Sequence, residues 1–453
     1  MRATTSRPAA RHVKSSRGFI ALMMLPERCL RGRVWRAIEK LSRSTRERRR
    51  ADPMELRLDP KLETFRKDVR AFIDEVLPAE MKERQRRKVA NNASVPDQLE
   101  WMRILNTHGR SVPHWPEEFG GCGWSPMQLF IFNEELYKAD APEFDWGGTH
   151  MLGPVIYTYG SDYLKDRFLP MIREGATMWA QGFSEPGSGS DLASLRTTAE
   201  LVGEKYIVNG QKIWTSGAAH ADWGFFLVRT DKAVKPQRGI SFLIIKMDTP
   251  GISVRQIPQI NGEAHLCEVF LDNVEVPADQ LIGGAGMGWT YAKFLLEHER
   301  TTSSFIYWSK RELARAKDIA LGEYAGGRKV ADDPAFRARF AKVEADLLAL
   351  EWSVLRVLAH EEFDAPEAAA ASVLKIRGSE LQQEVTMLQV DAMGAKSLRF
   401  FDVAPTPPPA PTDIWPDYAP GRTTVALINR AATIYGGAKQ IQKNIVAKLA
   451  FGL

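Results

Sequence analysis

Cysteine is scarce in this sequence: there are three in 453 residues, Cys29, Cys122 and Cys267. Nothing in their spacing resembles a disulfide framework or a thiolate metal knuckle, so a reducing compartment without structural disulfides is the expectation. No uninterrupted apolar run reaches 18 residues, which argues against a transmembrane helix and for a cytoplasmic protein. Internal repeats are missing, and low complexity is confined to Ala404-Pro-Thr-Pro-Pro-Pro-Ala-Pro-Thr412. Between two long helical patterns, that stretch reads as a stiff spacer rather than a recognition peptide.

Acidic residues are what the N-terminal segment lacks. Residues 1–53 carry 15 Lys/Arg against 4 Asp/Glu, whereas the remainder carries 46 against 52. The formal net charge of +5 is therefore the sum of a basic segment and an acidic body. A run such as Arg43 to Arg50 could bind nucleic acid or an anionic surface, and an Arg/Ser-rich, acid-poor leader resembles a transit peptide. The reading taken here is plainer. Residues 1–53 are expected to be a disordered or non-native extension, with Met54 opening the folded part and no nucleic acid bound.

What is present is ample apolar material, 44% of the chain, enough for two or three domains. Leu62, Phe65, Val69, Phe72, Ile73 and Val76 repeat at helical steps, and Pro78 ends them. Residues 79–95 are highly charged and read as a solvated face. A helix from about Pro96, one over 126–138 and one N-capped by Ser161 follow. After Gly175 the period changes from 3.6 to 2. Short strands are expected up to Pro277, including one ending at Trp214, punctuated by Gly203, Asn209-Gly210 and Asn261-Gly262. From Gly288 the helical period returns, with long helices over 289–325, 334–362 and 367–391 and a last one from Thr423. His150 reads as hydrogen-bonded packing, since nothing pairs it with a nucleophile or a metal ligand.

Two runs carry chemistry. Phe183-Ser-Glu-Pro-Gly-Ser-Gly-Ser-Asp191 packs small residues and a proline between two carboxylates, a tight turn exposing backbone N–H groups to a polar ligand. Lys212-Ile-Trp-Thr-Ser-Gly217 ends a strand in an aromatic ring and two hydroxyls. Together with Gly120-Gly121, Arg300 and Ile434-Tyr-Gly-Gly-Ala-Lys-Gln-Ile-Gln442, they make the chain from about residue 57 to its end resemble the acyl-CoA dehydrogenase family. The first run is similar to that family's Thr-Glu-Pro-x-x-Gly-Ser-Asp signature and the second to its Lys-x-Trp-Ile-Thr strand.

The resemblance implies an α+β fold: an N-terminal helical domain over 54–176, a middle β domain over 177–286 and a C-terminal helical bundle over 287–453 that includes the proline-rich linker 404–412. It implies FAD-dependent α,β-dehydrogenation of an acyl-CoA, with electrons passing to an electron-transferring flavoprotein. A homodimer or homotetramer is expected and a heteromer is left open. By the same resemblance Ser184, Trp214, Ser216 and the Gly436-Gly437 backbone would hold the flavin, while Ser190 and Arg300 would contact the CoA moiety.

The catalytic carboxylate is the informative departure. Many members place it in a Tyr-Glu-Gly-Thr run, where this chain has Tyr435-Gly436-Gly437-Ala438. A minority branch places it in an earlier Leu-x-x-Glu-Arg setting, matched here by Leu296-Glu-His-Glu-Arg300, so Glu299 is the expected base. Glu297 is two residues away, about 200° around a helix, and cannot face the same way. Two segments resembling those that bind FAD across a subunit boundary have drifted, around Arg328 and Gln389. A non-catalytic or partner-dependent subunit, or a flavin oxidase on the same scaffold, therefore stay open.

Overall fold

A computed structural model of the chain describes residues 59–298, 304–362, 369–401, 403, 412 and 415–453. The N-terminal extension, the proline-rich linker apart from Thr412, and Glu299 and Arg300 lie outside the described residues.

Helices α1 (Pro60–Val76), α2 (Ala79–Arg87), α3 (Val95–Thr107), α4 (Pro126–Lys138), α5 (Gly153–Tyr159) and α6 (Asp162–Arg173) come first. Their starts follow the capping chemistry. Ser94 accepts from Asp97 N, Ser161 from Leu164 N, and Ser125 with Gln128 forms a reciprocal capping box. The charged stretch 79–95 is not merely a solvated face. It folds into α2, which buries Met81 and Gln85, because Arg84 and Gln85 both reach the buried Asp97 of α3.

Strands β1 (Trp179–Gly182), β2 (Thr198–Val202), β3 (Lys205–Lys212), β4 (Trp223–Arg229), β5 (Ile240–Lys246), β6 (Ile252–Ile257) and β7 (Leu266–Pro277) form one seven-stranded sheet. β4 pairs β5 antiparallel along its length and, on its other edge, β1 and the start of β2 in parallel. β3 lies antiparallel between β2 and β7, and β6 closes that side. Asn209-Gly210 does not end a strand as the sequence suggested. It is a bulge inside β3, where the register against β7 shifts between Val208 and Gly210. The strand ends at Lys212, so Trp214 stands beyond it.

The C-terminal part comprises α7 (Gly288–His298), α8 (Ile306–Gly322), the hairpin β8–β9 (Tyr324–Ala325 with Arg328–Lys329), α9 (Pro334–Glu362), α10 (Ala370–Met393), α11 (Arg422–Ile428) and α12 (Lys439–Val446). The single helix expected over 289–325 is broken: Phe305 has φ of 52°, a left-handed conformation that cannot continue a helix. α8, α9 and α10 share one core through Leu313, Ile319, Leu347, Val354, Leu381 and Val385. A second core joins α5, α6 and α7 to the sheet through Ile156, Phe168, Phe225, Phe242 and Leu295. Among the described residues no helix is long and apolar enough to cross a membrane.

Buried ions tie the helical parts together. Glu134 and Glu135 of α4 meet Arg66 of α1, and Lys310 of α8 bridges Glu134 to Glu351 of α9. Burial pushes the Glu134 carboxyl up, but Lys310 and Arg66 outweigh it and hold it at about 2. Glu312 is ringed by Arg311, Arg315, Arg422 and Gln389, and its carboxyl lies far below the carboxylate range.

Candidate functional site

The two chemistry-bearing runs meet around a buried ion pair. Lys212, the last residue of β3, is 0% exposed and spends all three ammonium protons. It donates to Glu185 Oε1 at 2.8 Å, to Leu227 O at 2.7 Å and to Phe183 O at 3.2 Å. The Glu185 carboxylate also accepts from Arg196 N at 2.6 Å and Thr197 N at 2.9 Å. Burial pulls the ammonium down to about 8 against the attraction of Glu185, so it is still charged at neutral pH. Glu185 feels burial pushing its carboxyl up, but Lys212 holds it below its ordinary value. Sequence reading treated Glu185 as the rim of a ligand-binding turn. Its oxygens are instead engaged within the fold, where they fix the turn.

That pair sets the position of the exposed groups. Ile213 N donates to Ser184 O at 3.0 Å, so Ser184 and Trp214 sit side by side. Thr215 N bonds Cys267 O at 3.0 Å and Gly217 N bonds His265 O at 2.9 Å, anchoring the far side on β7. Between these anchors Trp214 adopts φ of 61° and stands 56% exposed, with Ser216 exposed beside it. A tryptophan held in a left-handed conformation and turned to solvent is strained backbone of the kind found where a ligand docks. The turn itself is closed by reciprocal bonds between Glu185 and Ser188. That leaves Ser190 exposed at its outer rim.

Gly436 and Gly437 have φ of 61° and 87° in an exposed turn before α12, next to exposed Ile434 and Tyr435. No described contact joins this turn to Trp214. Its neighbour is instead α10: Lys375, buried, donates to Ala432 O at 2.6 Å and lies 5.0 Å from the Tyr435 ring and 5.8 Å from that of Phe305. A Cβ at position 436 would have Lys375 Cε at 3.6 Å, an ordinary contact, so conformation rather than crowding excludes a side chain. Sequence reading missed this lysine, since a single Lys in an alternating helix carries no signal. Gly436→Glu is expected to lower stability by about 1 kcal/mol through its left-handed backbone and to place its carboxylate on the Lys375 ammonium. A thermal melt and an acyl-CoA titration in a Glu299→Gln background check this; recovered turnover would contradict it.

Of the two drifted segments, the one around Gln389 is used internally. Gln389 donates to Glu312 O at 2.7 Å and Glu312 Oε2 at 2.9 Å from a fully buried position. Arg328 stands on the exposed β8–β9 hairpin.

A flavin's flat ring needs a free aromatic wall, hydroxyl donors at its edge and backbone lacking side chains. Trp214, Ser184 with Ser216, and Gly436-Gly437 supply these types in exposed or half-buried positions, so the residues present fit such a group. Thr215 Oγ1, buried with no hydrogen-bond partner among the described residues, is a further hydroxyl at the same place.

Asp145 is buried and opens the π-helical turn Gly147–Leu152, accepting from Gly148 N at 3.0 Å. Burial pushes its carboxyl up to about 7, against backbone donors at Gly148, Gly147 and Trp179. Because the folded value lies above the ordinary 3.8, the contribution of this group to stability is greatest at low pH and is lost as pH rises from about 4 to about 7. Asp145→Asn keeps an acceptor for Gly148 and removes the charge. It is expected to gain about 1–2 kcal/mol at pH 8 and nothing near pH 4. Melting curves at the two values check it.

Comparison with known proteins adds four findings. Models of the acyl-CoA dehydrogenase N-terminal, middle and C-terminal domains match residues 59–176, 180–274 and 286–451. The acyl-CoA dehydrogenase IpdE1 of Mycobacterium tuberculosis is 36% identical over 355 residues, 78% of this chain and 87% of that protein. Among solved structures, the Tcur3481-Tcur3483 steroid ACAD is similar with TM-score 0.76 at 27% identity, covering 88% of this chain and 99% of that one. The ChsE4-ChsE5 complex from Mycobacterium tuberculosis is similar at TM-score 0.72 and 28% identity, over 88% and 99%.

Proposed function

Since the chain belongs to the acyl-CoA dehydrogenase family, whose members are oxidoreductases generally dependent on FAD, we propose that it dehydrogenates an acyl-CoA thioester to the trans-2-enoyl-CoA, with Glu299 taking the α-proton. The observation that carries this reading is the strained, exposed Trp214, held beside Ser184 by the Lys212–Glu185 pair.

Ser184, Trp214, Ser216 and the Gly436-Gly437 backbone would hold the FAD, which when bound accepts the β-hydrogen as hydride. Ser184 and Ser216 offer hydroxyls to the ring edge, and the Trp214 indole excludes water from one side of it. The Gly436 N–H is an uncluttered donor for the thioester carbonyl, whose oxygen gains negative charge as the α-proton leaves. Ser190 and Arg300 would bind the CoA portion. An electron-transferring flavoprotein would take the electrons onward.

We further read the working enzyme as a two-chain assembly of this fold rather than as a monomer. Two similar solved structures bear the names of chain pairs, Tcur3481-Tcur3483 and ChsE4-ChsE5. In addition, Ile445, Leu449 and Phe451 near the C-terminus are exposed apolar residues. A second copy of this chain is the alternative occupant.

The deciding experiment is an absorbance spectrum of the full-length protein, purified alone and with co-expressed homologues, followed by anaerobic titration with acyl-CoA esters. Bleaching of the flavin band at about 450 nm supports dehydrogenation. Protein that stays colourless in every combination overturns it.

A further inference from the structure

The turn that carries Gly436 is tied to one helix on both of its sides. Before the turn, Gln383 Nε2 of α10 donates to Asn429 O at 3.1 Å and to Arg430 O at 3.2 Å. Lys375 Nζ of the same helix donates to Ala432 O at 2.6 Å. After the turn, Lys439, the first residue of α12, pairs with Glu380 of α10. Residues 433–438 lie between these ties, with Gly436 and Gly437 both left-handed. Glycines have little conformational preference of their own, so the ties to α10 decide where the N–H groups of the turn stand. Among the described residues nothing accepts from the Gly436 N–H.

Lys375 does more than anchor. It is 5% exposed, and its ammonium lies 5.0 Å from the centroid of the Tyr435 ring and 5.8 Å from that of Phe305. A carbonyl acceptor and two aromatic rings are surroundings that favour the charged form of a buried lysine. Its Cε is 3.6 Å from where a Cβ would stand at position 436. One turn further along α10, a Cβ at Gly378 would collide with Ser304 O, so the two backbones touch. The start of α8 and the Gly436 turn therefore meet on the same stretch of α10.

We propose that Lys375 is a positioning residue for proton abstraction: it fixes the Gly436 N–H for the thioester carbonyl and sets a positive charge close to the oxygen that becomes negative. The inference rests on the acyl-CoA reading above, in which that N–H receives the carbonyl. As the α-proton passes to the base, the C–H electron pair forms a double bond between the α-carbon and the carbonyl carbon. The carbonyl π pair moves onto oxygen. A cation within about 4–6 Å favours such an anion by about tenfold or more. The neutral ester carries no such charge, so Lys375 acts on the ionised form far more than on binding.

The test uses acetoacetyl-CoA, a thioester acidic enough to titrate directly, on the full-length chain with the flavin and partner that co-purify. Absorbance of the bound enolate against pH gives the ionisation midpoint. In the wild type it should lie at least about one pH unit below that of the free ester. Lys375→Gln should raise it by about one unit, a tenfold loss, whereas Lys375→Arg keeps a cation and should stay within about threefold of wild type. Binding of the un-ionised ester at low pH should change less than about threefold in both. If Lys375→Gln does not fold, Gly436→Glu, whose carboxylate meets the Lys375 ammonium, should raise the midpoint in the same way. A wild type that fails to lower the midpoint would overturn the proposal. So would a midpoint that the substitutions do not move, a loss that arginine does not restore, or an equal loss in binding the un-ionised ester. Flavin bleaching by saturated acyl-CoA esters in the same samples keeps the two readings apart. Midpoints that shift as expected without bleaching support Lys375 and sink dehydrogenation, whereas bleaching with unmoved midpoints does the reverse.

Discussion

Replacing Glu299 by glutamine will leave a protein that binds flavin and acyl-CoA but reduces that flavin about 10² to 10⁴ times more slowly, the usual worth of a general base. Glutamine keeps the size and the hydrogen-bonding oxygen and loses only the ability to take a proton. The expectation is sharpened by elimination among the described residues. Most buried carboxylates elsewhere are held by cations: Glu134 by Arg66 and Lys310, Glu185 by Lys212, and Glu312 by Arg315 and Arg422, whereas Asp145 is held only by the backbone donors of the turn it opens. A carboxylate held by such cations is a poor proton acceptor. Position 436, where relatives would carry a base, is glycine. Stopped-flow reduction of both proteins by one acyl-CoA decides it. A rate within tenfold of wild type would remove Glu299 from the role.

Lys212→Met should cost about 3–5 kcal/mol of stability, because it removes one partner of a buried pair and leaves the Glu185 charge to two backbone N–H groups. Three acceptors lose their donor at once: Glu185 Oε1, Phe183 O and Leu227 O. The carboxyl of Glu185 lies below its ordinary value, so the stability it contributes is present above pH 4.5 and is lost as pH falls below it. The wild type should therefore lose stability towards acid more steeply than the variant. Since the same lysine holds the Phe183–Glu185 segment against β4, flavin occupancy should fall together with the melting temperature. Thermal melts across pH and the ratio of flavin to protein absorbance measure both. An unchanged midpoint would show that the pair contributes only orientation.

Periodicity carried much of the fold because it records which face of an element is buried. The alternation of Leu62, Phe65, Val69, Phe72 and Ile73 gave α1, and the change of period after Gly175 gave the sheet. It failed where conformation depends on distant contacts. Asn209-Gly210 looks like a turn and is a bulge, because β7 continues past it and holds the chain extended. The helix over 289–325 looks continuous and is broken at Phe305, a residue with no local reason to adopt a left-handed conformation. Residues 79–95 look solvated because Arg84 and Gln85 find their partner, Asp97, on the next helix.

The candidate site divides in the same way. Residue types and their order along the chain, Ser184, Trp214, Ser216, Glu299 and Gly436, are properties of the sequence. The family follows from them, since each chemistry needs its own group. Tertiary structure decided which groups are free to act. Glu185 and Lys212 neutralise each other below the wall that Trp214 caps, and Lys375 faces the backbone where a carboxylate is missing. Desolvation and pairing depend on distance in space, and a linear order of residues does not specify that distance.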